Sequence, residues 1–316
     1  MNSEKMDYDL VALGETMLAL VPPAEQTVRT AAALLVDHAG AESNTCVGLA
    51  RLGLRVAWAS RIGADAAGDR ILAALQAEGV DTQFVERDGQ RQTGLMIKEP
   101  GVGVRYYRSD SAASVMGPQI LGQVPVAGAR AALVTGVTAL IGPQPHAAAL
   151  ALLESARGLR IVDPNLRQGL WGSDRRAELV RPLVERCDLL LAGAEELAEI
   201  VWSSGSSGSG GSGRSGGKES GEDLARRAMT LGPREVVVRG ATTVGALADG
   251  VWREIAIRRG DAIDPVGAGD AFNAGYIAVR LRGGSIDEAL KAGALCGAAV
   301  TAASSDTAGF PKALRF

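Results

Sequence analysis

Residues 264–281 read DPVGAGDAFNAGYIAVRL, a tight Gly-Ala-Gly turn that runs straight into an amphipathic helix. Glycines at 267 and 269 let the backbone amides of Ala268, Gly269 and Asp270 point at one spot, and the helix dipole adds positive potential there. That is an anion site. An aspartate at its mouth is out of place for binding phosphate alone, because its carboxylate would repel the phosphate. It fits a base that takes a proton from an attacking hydroxyl while the amides stabilise charge on the transferring group. Aspartate is also a favoured helix N-cap, and spacing alone leaves both readings of Asp270 open.

Outward from this stretch, short aliphatic runs alternate with longer Ala/Leu-rich helical ones, the sign of stacked βα units around a mostly parallel sheet. YDLVALGE, RVAWASRIG, AALVTGV, RIVDPN, DLLLAG and EVVVRG read as strands. AESNTCVGLARLG, DRILAALQAEG, PHAAALALLESARG, RAELVRPLVERC and GEDLARRAMTLG carry apolar residues at helical spacing. Residues 15–37 and 91–108 break the alternation with strand-forming stretches and no helix between them, which predicts a small accessory sheet. The tract at 203–217, SSGSSGSGGSGRSGG, cannot bury surface and is expected to be a flexible loop inside one domain spanning 1–316.

Composition narrows the function. With 316 residues, 47% of them hydrophobic, the chain can bury a sizeable core. A formal charge of −3 from 33 basic and 36 acidic side chains gives no footprint for nucleic acid or an anionic membrane. No apolar run approaches a bilayer span and the first ten residues lack a secretory layout, so a cytoplasmic location is expected. Cys46, Cys187 and Cys296 are far apart, and the only histidines are His38 and His146, which disfavours zinc sites and histidine-dependent hydrolases. His146 reads as an early helix residue.

DPVGAGDAFNAG resembles the C-terminal signature of the ribokinase-like, or PfkB, carbohydrate kinases, and AGAESNTCVGLARLG with RIG at 61–63 resembles their N-terminal signature. The likeness continues through RIGADAAGDRILAALQAEGVDT, DPNLRQGLW and the GFP near the end. It implies an α/β three-layer sandwich with a mostly parallel central sheet and a small β-sheet lid from 15–37 and 91–108. It also implies ATP with Mg2+ as phosphate donor, Asp270 as the base, and Gly267, Ala268 and Gly269 as the anion hole. A monovalent cation and a homodimer through the lid are compatible with it. Gly40 and Asn44 fall at acceptor-facing positions of the first signature, with Ala39 where the family has a glycine. Gly240 and Gly245 in RGATTVG, and Asp264, fall on the nucleotide side. The family's Asn-x-x-Glu motif is Gly-Ala-Glu-Glu at 193–196, so the metal-side glutamate, Glu196, is present and the asparagine is not.

Within the family, GVRYYRSDSAASVM and DPNLRQGLW are most similar to 2-keto-3-deoxygluconate kinases. That likeness implies a sugar-acid acceptor phosphorylated at its 6-hydroxyl. Arg108 and Arg167 would then hold the carboxylate, a task for which the guanidinium fork is well suited, with Tyr106 as a further donor. Each arginine also reads as an ordinary surface residue. Fructokinases are the rival reading. They tend to carry two pocket aspartates where this chain has Ala19 and Ala113, whose absence removes repulsion of an acidic substrate. Met96 stands where some keto-acid kinases have a substrate-facing tyrosine. A reading of another class is a sugar or nucleotide sensor on the same fold, against which the intact Gly-Ala-Gly-Asp turn argues.

Overall fold

The run Leu10–Leu13 is apolar and buried at every position. Because successive strand side chains point to opposite faces, Leu10 and Ala12 join one hydrophobic core and Val11 and Leu13 a second. A strand buried on both faces belongs inside a helix-covered sheet. The computed structural model describes residues 8–24, 26–99, 102–167, 170–203, 219–257, 267–301, 307 and 309–313, and it has that architecture.

In chain order the first elements are β1 (Leu10–Leu13), β2 (Met17–Val21), β3 (Leu35–Ala39), α1 (Ala41–Arg51), β4 (Val56–Gly63), α2 (Ala66–Ala77), β5 (Val85–Asp88), β6 (Leu95–Glu99) and β7 (Gly103–Tyr107). Then come β8 (Ala131–Thr135), α3 (Gly136–Ala139), α4 (Pro143–Ser155), β9 (Leu159–Asp163), α5 (Arg176–Val184), β10 (Leu189–Gly193), α6 (Ala194–Trp202) and α7 (Gly221–Met229). Last are β11 (Glu235–Arg239), β12 (Thr243–Ala248), β13 (Val251–Ala256), α8 (Ala268–Leu281) and α9 (Ile286–Thr301).

The large sheet has nine strands in the order β13-β12-β11-β10-β9-β8-β1-β4-β5. Neighbours from β11 to β5 are parallel, and β12 and β13 extend one edge antiparallel. Helices α1, α2, α8 and α9 cover one face, and α3 to α7 the other. The aliphatic runs read from the sequence are six of the seven parallel strands of this sheet, all but β5. The pair β12 and β13 was not among them: in β13 only Trp252 and Ile255 are even partly buried and Arg253 and Glu254 dilute the apolar signal, while β12 was passed over although its four middle residues are buried.

A second sheet, in the order β3-β2-β6-β7, comes from the two segments that carry no helix between their strands. Met17, Ala19, Ala39 and Met96 form its small core, with Val104 and Tyr106 packed against them. The chain crosses between the two sheets four times, at 14–16, at Gly40, at 89–94 and at 108–111. The order of the large sheet reverses at β1 and β8, where a crevice forms at the carboxyl ends of parallel strands. Glu42, in the first turn of α1, is anchored beside this point. Its buried Oε1 accepts from the Thr135 backbone N–H at 2.9 Å and from the Thr135 and Thr138 hydroxyls at 2.8 and 2.7 Å. Burial pushes this carboxyl above the ordinary range, and the hydroxyl donors oppose that shift.

Candidate active site

Helix α8 begins at Gly267, whose φ of +85° lies in the left-handed region that favours glycine. The amides that follow, those of Ala268, Gly269 and Asp270, are first-turn donors with no acceptor inside the helix. Among the described residues, the nearest atom a Cβ on Gly269 would meet is on the Arg239 guanidinium, at an ordinary contact distance of 3.7 Å. Asp270 is therefore not the N-cap. It is the third residue of the helix, buried, and its Oδ2 accepts from Asn44 Nδ2 at 2.9 Å. Thr45, the next residue on α1, donates its hydroxyl to the Asp270 carbonyl at 3.4 Å. The other side-chain atom of Asn44, Oδ1, is buried and has no hydrogen-bond partner among the described residues. A buried acceptor left in this condition calls for a donor from a ligand. Asp264 lies outside the described residues.

Three residues that the sequence reading passed over join Asp270. Arg239, the last residue of β11, donates to Asp163 Oδ2 at 3.0 Å and to Asn273 Oδ1 at 2.6 Å. Asn273 in turn donates to Asp163 Oδ2 at 2.7 Å. Arg239 also reaches the Gly269 carbonyl at 3.4 Å. Burial works against its charge, but Asp163, Glu196 and Asp270 outweigh it and raise the guanidinium above its ordinary value. A fixed cation thus sits at the start of α8. Two signals were present in the sequence: charged residues directly after the aliphatic runs of β9 and β11, and Asn273 three positions after Asp270 on the same helix face.

Glu196 stands next to this network, and its oxygens are already engaged. Oε2 accepts from the Gly193 N–H at 2.9 Å, capping α6, and Oε1 accepts from the Leu166 N–H at 2.8 Å. Burial and then the nearby Asp163 raise its carboxyl above the ordinary range, against the pull of Arg239. The glycine-rich turn expected at 240–245 is shorter than its glycines suggest. Gly240 closes the β11–β12 turn, donating to the Thr243 carbonyl at 2.9 Å. Gly245 lies inside β12, where a Cβ would fall 2.1 Å from the Trp252 ring. That glycine makes room for an indole, which corrects its placement in a nucleotide turn.

On the other side of the crevice, Gly40 is extended and closely surrounded. A Cβ there would meet the Glu15 carbonyl at 2.4 Å and the Ser43 hydroxyl at 2.9 Å. Arg108 is not a surface residue: it is 8% exposed and ion-paired with Glu15, which is 4% exposed. The Tyr106 ring centre lies 5.6 Å from its guanidinium carbon. Ala19 and Ala113 are buried, and an acid that the sequence reading did not consider, Glu15, pairs with Arg108. Arg167 is exposed and donates from Nε to Asn165 Oδ1 at 2.6 Å, with Asn165 held at a φ of +38° just past β9. Gly40, Tyr106 and Arg108 thus lie on or beside the small sheet, whereas Asn44, Arg167, Glu196 and Asp270 lie on the body.

All three thiols are buried and pushed up by burial, that of Cys296 to about 12. His146 lies in α4 with its Nε2 2.9 Å from the Leu179 carbonyl. Among the described residues no helix is long and apolar enough to cross a membrane.

Known proteins resemble this chain over nearly its whole length. The 2-dehydro-3-deoxygluconokinase of Bacillus subtilis (strain 168) is 30% identical over 97% of this chain and 93% of its own. The 2-dehydro-3-deoxygalactonokinase of Haloferax volcanii is 28% identical over 92% of this chain and 89% of its own. The crystal structure of a PfkB protein from Polaromonas sp. JS666 superposes with a TM-score of 0.82 at 33% identity, covering 96% of this chain and 97% of that one. Residues 7–313 match the pfkB family carbohydrate kinases, so this chain, with its ribokinase-like fold, belongs to that family of phosphotransferases.

Proposed function

We propose that the chain transfers the γ-phosphoryl group of ATP to the 6-hydroxyl of 2-keto-3-deoxygluconate, with Asp270 as general base. The observation that carries the reading is the pairing of Asp270 with Asn44 at the open start of α8. The attacking hydroxyl gives its proton to the Asp270 carboxylate as its oxygen bonds to phosphorus and the bond to ADP breaks. Asn44 orients that carboxylate and offers its unpartnered Oδ1 to an acceptor hydroxyl. The amides of Ala268, Gly269 and Asp270 take up charge on the transferring group, and Arg239 offsets part of the negative charge of the acidic side chains around it.

Magnesium, bound with the nucleotide, would neutralise charge on the phosphates. Among the described residues no group of three or more Asp, Glu, His or Cys could hold a metal unaided, which suits an ion carried largely by phosphates and water. Since both Glu196 oxygens already accept backbone N–H groups, Glu196 would meet that ion through its hydration shell.

Arg108, Arg167 and Tyr106 form the acceptor side of the proposal, under the small sheet acting as a lid. Support comes from the curated relatives, which act on the gluconate and galactonate forms of the keto acid by name. A homodimer through the lid belongs to the same reading, since the small-sheet side leaves Leu35 and Tyr107 exposed. Fructose is the second acceptor to consider, because a neutral sugar has no need of a guanidinium free of acid and Arg108 is paired with Glu15. An ADP-release screen across 2-keto-3-deoxygluconate, its galactonate epimer, fructose, ribose and a nucleoside tests the assignment. The highest kcat/KM is expected with one of the two keto acids, and a higher value with fructose would overturn it.

A further inference from the structure

Each of the four chain crossings between the two sheets meets Glu15. The residue lies in the first crossing, and its carbonyl fills the space beside Gly40 in the second. At the third, a Cβ on Gly94 would meet Glu15 Oε1 at 2.6 Å. At the fourth, Ser111 donates its hydroxyl to Oε1 at 2.9 Å and Arg108 forms its ion pair with Oε2. A buried residue packed against all the crossings, with its carboxylate bonded to the fourth, is an unusual use of charge, since desolvating it is costly without a partner. The partner is Arg108, an equally buried cation whose Nε has no hydrogen-bond partner among the described residues.

We propose that Glu15 is a positioning residue for the acceptor: it holds the Arg108 guanidinium through Nη2 and so aims the neighbouring Nε donor, which has no partner among the described residues, at the incoming substrate. This rests on the assignment of Arg108 to the acceptor side. Without Glu15 the guanidinium would be an unpaired buried charge, free to swing toward solvent. With it the pair is neutral, so Arg108 contributes a directed donor and the exposed Arg167 contributes the net positive charge that draws an acidic substrate. Glu15 touches neither the phosphoryl group nor the reacting hydroxyl in this arrangement.

The test is a double-mutant cycle in the full-length enzyme, with KM for the keto acid, KM for ATP and kcat measured for wild type, E15Q, R108M and E15Q/R108M. Glutamine keeps the shape and the acceptor for Ser111 and removes only the charge. The expected result is a rise of about tenfold in acceptor KM for E15Q, with KM for ATP within twofold of wild type and no further loss when E15Q is added to R108M. An E15Q loss that recurs in full on top of R108M would overturn the positioning role while leaving Arg108 on the acceptor side. An unchanged acceptor KM in R108M would overturn both. Should E15Q fail to fold, Ser111→Ala loosens Glu15 without stranding a charge, and a two- to threefold rise in acceptor KM that vanishes in R108M is expected. An S111A enzyme with an unchanged acceptor KM would refute the proposal.

Discussion

Asn44 and Asp270 are 226 positions apart in the sequence and joined by a 2.9 Å hydrogen bond from the amide of one to the carboxylate of the other. The bond ties the first signature helix, α1, to the start of α8, and it places the proposed base where both halves of the chain meet. Replacing Asp270 by Asn keeps the shape and removes the proton acceptor. Turnover is expected to fall by roughly two to four orders of magnitude with little change in KM for ATP. Near-normal turnover in steady-state assays would rule out Asp270 as base.

Arg108→Met and Arg167→Met, each assayed at saturating ATP on 2-keto-3-deoxygluconate and on fructose, separate recognition of the acid group from general positioning. A lost hydrogen bond to a charged partner corresponds to a drop of roughly ten- to a hundredfold in kcat/KM for the keto acid. The loss on fructose is expected to be smaller. Equal proportional losses on both acceptors would mean that the arginines place the lid or the phosphate.

Glu78 holds Arg51 through two hydrogen bonds of 2.7 Å, and Arg51 also donates to the Thr307 carbonyl at 2.6 Å, fastening the C-terminal segment to α1. The Arg51 hydrogen bond lowers the Glu78 carboxyl below its ordinary value of 4.5. A carboxyl lowered on folding contributes stability that is present above the unfolded value and lost as pH falls through the folded one. Urea unfolding should find wild type more stable than Glu78→Gln by about 0.5–1 kcal/mol at pH 7. The difference should shrink steadily below about pH 4.5. A gap that persists unchanged at pH 3 would show that packing, and not charge, makes the contribution.

The Ser/Gly tract at 203–217 lies outside the described residues except for Ser203, but its flanks are in contact. Trp202 donates its indole N–H to Glu219 at 3.0 Å, and the Arg227 guanidinium carbon lies 4.5 Å from the indole ring centre. A connection of a few residues can therefore replace the tract. Loop-closure entropy changes slowly with length, so a shortened protein should differ in stability by about 1 kcal/mol or less and keep its kcat/KM. Loss of activity in a folded, shortened protein would reveal a role for the tract.

Much of the fold is local information. Aliphatic runs such as LLLAG and EVVVR can only be strands buried on both sides, and the helices between them carry their own three- and four-residue spacing. The Gly-Ala-Gly-Asp turn announces an anion site for the same reason: φ at Gly267 and the direction of a helix dipole are properties of a few consecutive residues. Tertiary structure alone decided which side chains share that site. Arg239, Asp163 and Asn273 form one network because parallel strands end at the same edge of the sheet, and no spacing along the chain records that edge. Arg108 reads in sequence as a carboxylate holder or a surface residue and is the ion-pair partner of Glu15 in space. A charge's partner is set by distance across the fold, so the sequence determined the scaffold and the turn that opens α8, and only the folded chain decided how Arg108 and Arg239 are held.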